Sequence, residues 1–301
     1  MKVFLTGATG YIGFNVALAL RRAGHKVWGL VRSPEKAQVL AKNEIIPVLG
    51  SMQKPESYLS IAEQCSLLIH AATEYSENRV ALERQTAEAL IGTRRTGAQP
   101  KTFIYTSGVW VYGNTNCQMV DESTPLNPAK LVTWRPALEQ MVLNSERVKG
   151  IVIRPGCVYG RQGGLTGLWF KGAYQDKSLV AIGDGSNHWA MVHVDDLAQA
   201  YLLAAESGLK AEVLNVVDNS CSTVGEMTRA VAEVANYSGQ IEFVPLEKAW
   251  QTLGDFAECL AQDQHVDGDK ANRLLDWQPK QRGFVEKIEI YLASWKAAQN
   301  L

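Results

Sequence analysis

The octapeptide TGATGYIG at residues 6–13 follows the apolar run Val3-Phe4-Leu5 and opens an amphipathic stretch. Three glycines at that spacing, between a strand and a helix, suit the task of holding a pyrophosphate. Such a group needs backbone N–H donors brought close and a helix N-terminus whose partial positive charge points at it. Gly7 serves the tight strand-to-helix turn, Gly10 lets the backbone approach the phosphates, and Gly13 lets the helix pack on the sheet. With Thr9, Tyr11 and Ile12 between them, Gly7, Gly10 and Gly13 are expected to line a dinucleotide. About 20 residues on, at the end of the next strand, a carboxylate would bond the ribose 2′-hydroxyl of NAD. The chain has Val31-Arg32-Ser33 there. Arg32 is expected to stack on adenine and pair with a 2′-phosphate as a bidentate cation, with Ser33 adding a hydroxyl. That favours NADP(H) over NAD(H); a solvated strand-end charge is the alternative reading of Arg32.

The elements that must position this loop follow from the hydrophobic rhythm. Short β-rich runs at 3–6, 26–31, 45–49, 67–70, 102–106 and 151–153 alternate with helical stretches near 11–23, 34–42, 56–64, 79–95 and 137–148. The runs are continuously apolar (VFL, LLIHAA, FIY, IVI), as in strands buried on both faces. Strand, helix, strand in repetition predicts an α/β fold with a parallel sheet covered by helices on both faces. After residue 155 glycines crowd residues 156–172, which suggests loops and a close backbone approach to something. A strand-helix piece at 191–205 and the run VLNVV at 213–217 are expected to rejoin the first sheet. The tail carries Phe284, Ile288, Tyr291 and Trp295 on one face of an amphipathic helix.

Composition narrows the partners. Thirty Lys+Arg against 31 Asp+Glu, a net charge of −1, leave no basic face for a phosphate backbone, which argues against nucleic acid. No run of 18 apolar residues exists to span a membrane. Five scattered cysteines without a C-x-x-C read as free thiols in a reducing compartment. With no charged lead and apolar core at the start, the expected location is the cytoplasm. No H-E-x-x-H or clustered Cys/His spacing points to a metal.

TGATGYIG, LIHAAT (68–73), FIYTSGVWVYG (103–113), DESTPLNP (121–128), IRPGCVYG (153–160), HVDDLAQA (193–200) and LLDWQP (274–279) occur in this order. Together they resemble the extended short-chain dehydrogenase/reductase superfamily, in its NAD-dependent epimerase/dehydratase branch. The resemblance covers nearly the whole chain. It implies a Rossmann-type doubly wound parallel sheet with a smaller C-terminal substrate domain. Residues 1–155 form the dinucleotide domain, its sheet completed by about 190–217, and 156–189 with 218–301 form the substrate part. It also implies hydride transfer to or from nicotinamide, with a Tyr as acid/base, a Lys four residues later lowering its pKa, and a Ser or Thr holding the substrate oxygen. Ala71, Ala72, Thr106, Arg135 and Pro155 are placed along the cofactor.

The catalytic positions depart from that pattern. The Ser/Thr position falls on Gly108, with Thr106 and Ser107 beside it, and the next two, carboxylates in dehydratases, hold Val109 and Trp110. Anchoring on Glu139 puts Leu131 in the Tyr position and Arg135 in the Lys position. Pro136 belongs in a first helical turn, so the helix is expected to start late. Ser107, Tyr112 and Arg135 are the candidates for the catalytic roles, with Tyr75 and His188 as further proton donors. Asp195 and Asp196 read as helix-start residues and His70 as sheet packing. Where nucleotide-sugar members carry an Asn and an Arg, this chain has Cys157 and His188. Trp110, Trp134, Trp169 and Trp189 suit an apolar small molecule or simple packing.

The reading reached is an NAD(P)-dependent oxidoreductase-like protein with an atypical catalytic set, acting on a small apolar carbonyl or alcohol as a monomer or homodimer. A non-catalytic NADP(H)-binding redox sensor and a nucleotide-sugar epimerase remain the alternatives.

Overall fold

A computed structural model of the chain describes residues 1–74, 76–94, 100–281 and 283–301. They form two units. The first comprises Met1–Ser107, Trp134–Arg154 and Ala198–Leu214; the second comprises Gly108–Thr133, Pro155–Leu197 and Asn215–Leu301.

In the first unit strands β1 (Lys2–Thr6), β2 (Lys26–Val31), β3 (Ile46–Leu49), β4 (Leu67–His70) and β5 (Lys101–Thr106) alternate with helices. These are α1 (Tyr11–Arg22), α2 (Pro34–Ala41), α3 (Leu59–Ala62), α4 (Arg79–Ile91) and α5 (Arg135–Leu143). The seven-stranded sheet runs Glu212–Val216, Val148–Pro155, β5, β4, β1, β2, β3. Every register from Val148–Pro155 across to β3 is parallel. Successive residues of a strand face opposite sides of its sheet. Val3, Phe4 and Leu5 of β1 are all fully buried, so helices cover both faces, which is why the run is apolar without alternation.

Local chemistry sets the helix bounds. α1 buries Gly13, Val16, Ala17 and Leu20 on one stripe and carries Arg21 and Arg22 in its last turn, where the helix dipole favours cations. Ser33 caps α2, accepting from the Lys36 N–H at 3.4 Å. Pro136 sits in the first turn of α5, where no N–H is needed, and the helix runs Arg135–Leu143 where 137–148 was expected.

Several expectations are corrected. The helix foreseen at 56–64 is a 3-10 turn, Pro55–Ser57, followed by α3, because Tyr58 leaves helical geometry (φ −133°) to bury its ring against Phe4 at 5.5 Å. The strand foreseen at 151–153 extends over Val148–Pro155, paired with β5 from Lys101↔Val148 to Thr106↔Ile153. Met191–His193 does not rejoin the first sheet. It pairs with Cys157–Gly160 in a three-stranded sheet completed by Gly163–Gly164, whereas Glu212–Val216 does take an edge of the large sheet.

The second unit also holds two parallel pairs, Leu179–Ile182 with Ile241–Val244 and His265–Val266 with Met119–Val120. Its main core is aromatic: Tyr159, Trp169, Phe170, Trp189, Phe284, Tyr291 and Trp295. Trp169 and Trp189 stack at 4.8 Å, both buried, which decides for packing over a ligand wall at these two positions. The crowded glycines lie against the chain itself: a Cβ on Gly156 would come 2.5 Å from the Ala190 carbonyl oxygen, and one on Gly164 would come 2.0 Å from that of Val158. The four tail residues face this core, from Phe284 through the helix Ile288–Ala298.

One ion pair lies wholly inside the first unit. Arg154, on the central strand Val148–Pro155, donates from Nε to Glu139 Oε1 at 3.1 Å and from a terminal nitrogen to Oε2. Both side chains are sealed from solvent, at 4% and 0% exposure. Removing one member of a buried pair leaves the other's desolvation uncompensated, at a cost of about 3–5 kcal/mol. Glu139→Ala should therefore lower stability by that amount, read from its urea midpoint. A loss under about 1 kcal/mol would show that the pair is not holding α5 to the sheet.

Candidate functional site

The turn between β1 and α1 is held by backbone contacts that leave no room for side chains at two points. Gly7 has φ +77°, and a Cβ there would lie 2.5 Å from the Ala71 carbonyl oxygen. A Cβ on Gly13 would lie 2.2 Å from the Gly7 carbonyl oxygen. Gly10 differs. It has ordinary extended geometry (φ −80°, ψ 169°), and its added Cβ would meet only the Gly7 oxygen, at 3.2 Å. It is exposed, so its missing side chain leaves space on the solvent side of the turn. As the N-cap of α1, Gly10 offers no capping side chain to the positive end of the helix. A helix start of this kind, with a cradle that a Cβ would fill, fits a phosphate anion.

Beneath the turn, Thr6 pairs in register with His70, and the Thr6 hydroxyl bonds His70 Nδ1 at 2.6 Å. His70 Nε2 lies 3.2 Å from Glu83 Oε2 on α4, both side chains buried. Burial pushes the Glu83 carboxyl up, but the hydrogen bond and charge of His70, with Arg135 beyond, outweigh it and hold the group below its ordinary value. Ala71 and Ala72 follow immediately, so this relay fixes the backbone against which Gly7 packs. Thr9, Tyr11 and Ile12 are half-buried along the turn.

At the end of β2, Arg32 is 75% exposed and, among the described residues, keeps a loose contact with Glu74 Oε1, at 3.7 Å. Such a pair contributes little, which leaves the guanidinium available to another anion. The Ser33 hydroxyl is engaged as the α2 cap.

The first unit also holds Thr106, Ser107 and Arg135. The Thr106 hydroxyl bonds the Tyr201 hydroxyl at 2.7 Å, and its carbonyl accepts from Arg135 Nη1 at 2.7 Å. Ser107 is buried and donates its hydroxyl proton to Glu139, the carboxylate already paired with Arg154. The Arg135 guanidinium lies 4.8 Å from the Trp134 ring centre. Arg154 was not among the residues foreseen. The signal for it is a cation inside an otherwise apolar strand run, with a glutamate on the preceding helix.

The second unit holds the others. Tyr112 is buried at 4% exposure, and its hydroxyl donates to Asn215 Oδ1 at 2.9 Å. Leu131 lies in the short turn Lys130–Val132 and packs against the buried cluster of Ala129, Val132 and Cys259. Gly108 has extended backbone, and a Cβ there would meet only the Pro155 carbonyl oxygen, at 3.9 Å. Pro155, buried, ends its strand. His188 bonds Asp263 Oδ1 through Nδ1 at 2.9 Å. Asp195 and Asp196 sit in the first turn of the helix Val194–Glu206. Asp195 pairs with Arg161, and Asp196 accepts from the Lys280 and Gln281 N–H groups. Tyr75 lies outside the described residues.

The profile of the NAD dependent epimerase/dehydratase family matches residues 3–216, from β1 to the edge strand of the large sheet. The chain belongs to that family. An uncharacterized protein of Saccharomyces cerevisiae is 26% identical over 96% of this chain and 98% of its own length. A 4-hydroxy-2-methyl-3-oxo-4-farnesyl-3,4-dihydroquinoline-1-oxide ketoreductase of Stigmatella aurantiaca is 28% identical over 83% of this chain and 78% of its own. Among solved structures, dTDP-glucose 4,6-dehydratase of Bacillus anthracis in complex with NAD superposes with a TM-score of 0.83 at 18% identity. That match covers 100% of this chain and 98% of the other, which shows the Rossmann-type fold. Among the described residues no helix is long and apolar enough to cross a membrane.

The turn's geometry separates two substitutions. Gly10→Val should abolish dinucleotide binding in calorimetry while the melting temperature stays within a few degrees, because its side chain fills the phosphate space and a Cβ there meets one atom of the protein, the Gly7 oxygen at 3.2 Å. Gly13→Ala should instead destabilise the fold, since its Cβ has nowhere to go against the Gly7 carbonyl. Normal NADPH affinity in Gly10→Val would contradict the role given to this turn.

Proposed function

We propose that this protein is an NADP(H)-binding oxidoreductase for a small apolar carbonyl or alcohol, working with a reduced proton-transfer set. The dinucleotide is assigned to the first unit and the substrate to the second. The observation that carries the reading is the cradle at Gly7, Gly10 and Gly13, with the exposed Arg32 at the end of the next strand. When bound, the nicotinamide supplies or accepts a hydride. Arg32 is assigned the 2′-phosphate, which its planar fork meets bidentately.

Arg135 is assigned the position of the family's Lys, held by the Thr106 carbonyl as a permanent cation. A guanidinium keeps its protons in proteins, so it cannot serve as the acid. Ser107 already gives its proton to Glu139, so it offers a substrate hydroxyl an acceptor. Leu131 cannot transfer a proton at all. The apolar character of the substrate rests on the surroundings of Leu131, and the carbonyl chemistry on the ketoreductase relative, whose name gives a 3-oxo compound carrying a farnesyl group. Cys157 and His188 standing where sugar-nucleotide enzymes carry Asn and Arg argue against a nucleotide sugar. The five free cysteines support a reducing, cytoplasmic setting.

NADPH should bind at least about tenfold more tightly than NADH, a difference of about 1.4 kcal/mol and modest for one charge-assisted phosphate contact. Arg32→Glu should reverse the order in calorimetry. Equal affinities in the natural protein would refute the assignment of Arg32.

General acid catalysis contributes typically about 10²–10⁴-fold, so without a Tyr at position 131 turnover of simple aldehydes and ketones should be slow and narrow in scope. Gly108→Ser fits the space at that position without a clash. Combined with Leu131→Tyr and Arg135→Lys, it should raise NADPH consumption on a reducible ketone. Robust turnover by the natural protein across a broad carbonyl panel would mean that a proton donor works from elsewhere. Tight NADPH binding with no turnover on any carbonyl would favour the sensor reading, which the leucine at position 131 already supports.

A further inference from the structure

The second unit gathers four side chains of metal-ligating type from parts of the chain that show no joint spacing in the sequence. His188 precedes the strand Met191–His193, Cys117 lies in the segment before Met119–Val120, and Asp263 and His265 flank and open the strand His265–Val266. One sulfur, nitrogen or oxygen each from Cys117, Asp263 and His265 lies within 4.8 Å of the other two. His188 stands against the same carboxylate, its ring 4.5 Å from that of His265.

Asp263 is held rigidly at the centre. Its Oδ1 accepts the His188 backbone N–H at 2.8 Å and His188 Nδ1 at 2.9 Å, and its Oδ2 accepts the Cys117 N–H at 2.9 Å. The flanking backbone is tied as firmly. The Thr115 N–H donates to the Asp263 carbonyl at 2.8 Å, and Thr115 Oγ1 accepts the His265 N–H at 3.1 Å. Gln264 spans to the carbonyls of Val109 and Gly113 at 3.0 and 3.1 Å.

One feature remains unexplained by this hydrogen bonding. His265 Nε2 is sealed from solvent and lies 3.3 Å from Asp263 Oδ1, yet among the described residues it has no hydrogen-bond partner. The Cys117 thiol lies beside the same carboxylate, with its sulfur among the three gathered ligand atoms. A dication placed among the three would use the nitrogen lone pair, the carboxylate and the sulfur together.

We propose that Cys117, Asp263 and His265 form a binding site for a thiolate-accepting divalent transition metal, of which Zn²⁺ is the best fit. A sulfur, a nitrogen and an oxygen suit this borderline-soft ion. At ordinary bond lengths its ligand atoms stand roughly 3.3–3.8 Å apart, so the present spacing closes with a shift of about an ångström, within reach of a side-chain rotation at the exposed Cys117. Binding forms the metal–sulfur bond and releases the thiol proton to solvent. His188 acts as a positioning residue, fixing the carboxylate from behind as second-layer groups do around metals. His188 and His265 also line a cavity of about 270 Å³ with Met119, Gln264 and Asp267, from whose side a water or a ligand donor would reach the ion. This inference stands apart from the dinucleotide reading, because all its residues belong to the second unit and its test needs no NADPH.

The full-length protein, stripped with a chelator, is titrated with Co²⁺ and then Zn²⁺ while its absorption is recorded. The expected result is one equivalent of Co²⁺ bound with the near-ultraviolet charge-transfer band that only a thiolate ligand gives. Zn²⁺ should then displace it with a Kd of about 10 µM or tighter. Cys117→Ser should abolish the band, and His265→Ala should weaken Zn²⁺ binding at least about tenfold. Cys65→Ala, at a cysteine in the first unit, should keep the band. No thiolate band in the natural protein, Zn²⁺ binding weaker than about 100 µM, or a band that survives Cys117→Ser would overturn the proposal. The titration of the natural protein decides the matter even if a variant fails to fold.

Discussion

Everything in the first unit turns on how closely three stretches of backbone meet. Gly7 stands against the carbonyl of Ala71, and Gly13 stands against the carbonyl of Gly7. Those contacts exist only because neither residue has a Cβ. They draw the N-terminus of α1 down onto the ends of β1 and β4. The Thr6–His70–Glu83 relay then fixes the end of β4 from below, so the carbonyl that Gly7 meets cannot drift. Of the three, Gly10 is the one exposed on its solvent side, and it is the residue at which an anion would approach the helix. Tight packing at two glycines is what confines the vacancy to the third.

The same economy of space governs the charges. Glu139 and Arg154 are both removed from water, and each compensates the other's desolvation while Ser107 donates into the pair. A carboxylate so committed has no proton to deliver, and a serine so committed has none either. The departure from the family's proton-transfer residues is therefore more than the loss of a tyrosine: the neighbouring polar groups are spoken for structurally. Arg135, held on the Thr106 carbonyl, fits the same pattern of a fixed cation in place of a titratable one.

The large sheet and the phosphate turn were legible in the sequence because both are local. Apolar runs of strand length, glycines at fixed offsets and a proline near a helix start act within a few residues of themselves. Met191–His193 was misplaced because an apolar strand carries no mark of its partner, and Cys157–Gly160 became that partner only in the folded chain. Trp169 and Trp189 were ambiguous for the same reason, since an aromatic reads alike whether it stacks on a ligand or on another tryptophan. The Cys117, His188, Asp263 and His265 cluster lay beyond reach of any spacing rule, its members brought together by contacts between distant loops. His265 showed itself only as a buried nitrogen without a bond.

The central claim is that the β1–α1 turn receives a dinucleotide whose 2′-phosphate is read by Arg32. A crystal structure of the protein grown with NADPH tests it most directly. The account predicts the pyrophosphate against the backbone of residues 10–13 and the 2′-phosphate within hydrogen-bonding distance of the Arg32 guanidinium. A dinucleotide bound elsewhere, or one at the turn with its 2′-phosphate in solvent and Arg32 still beside Glu74, would contradict it.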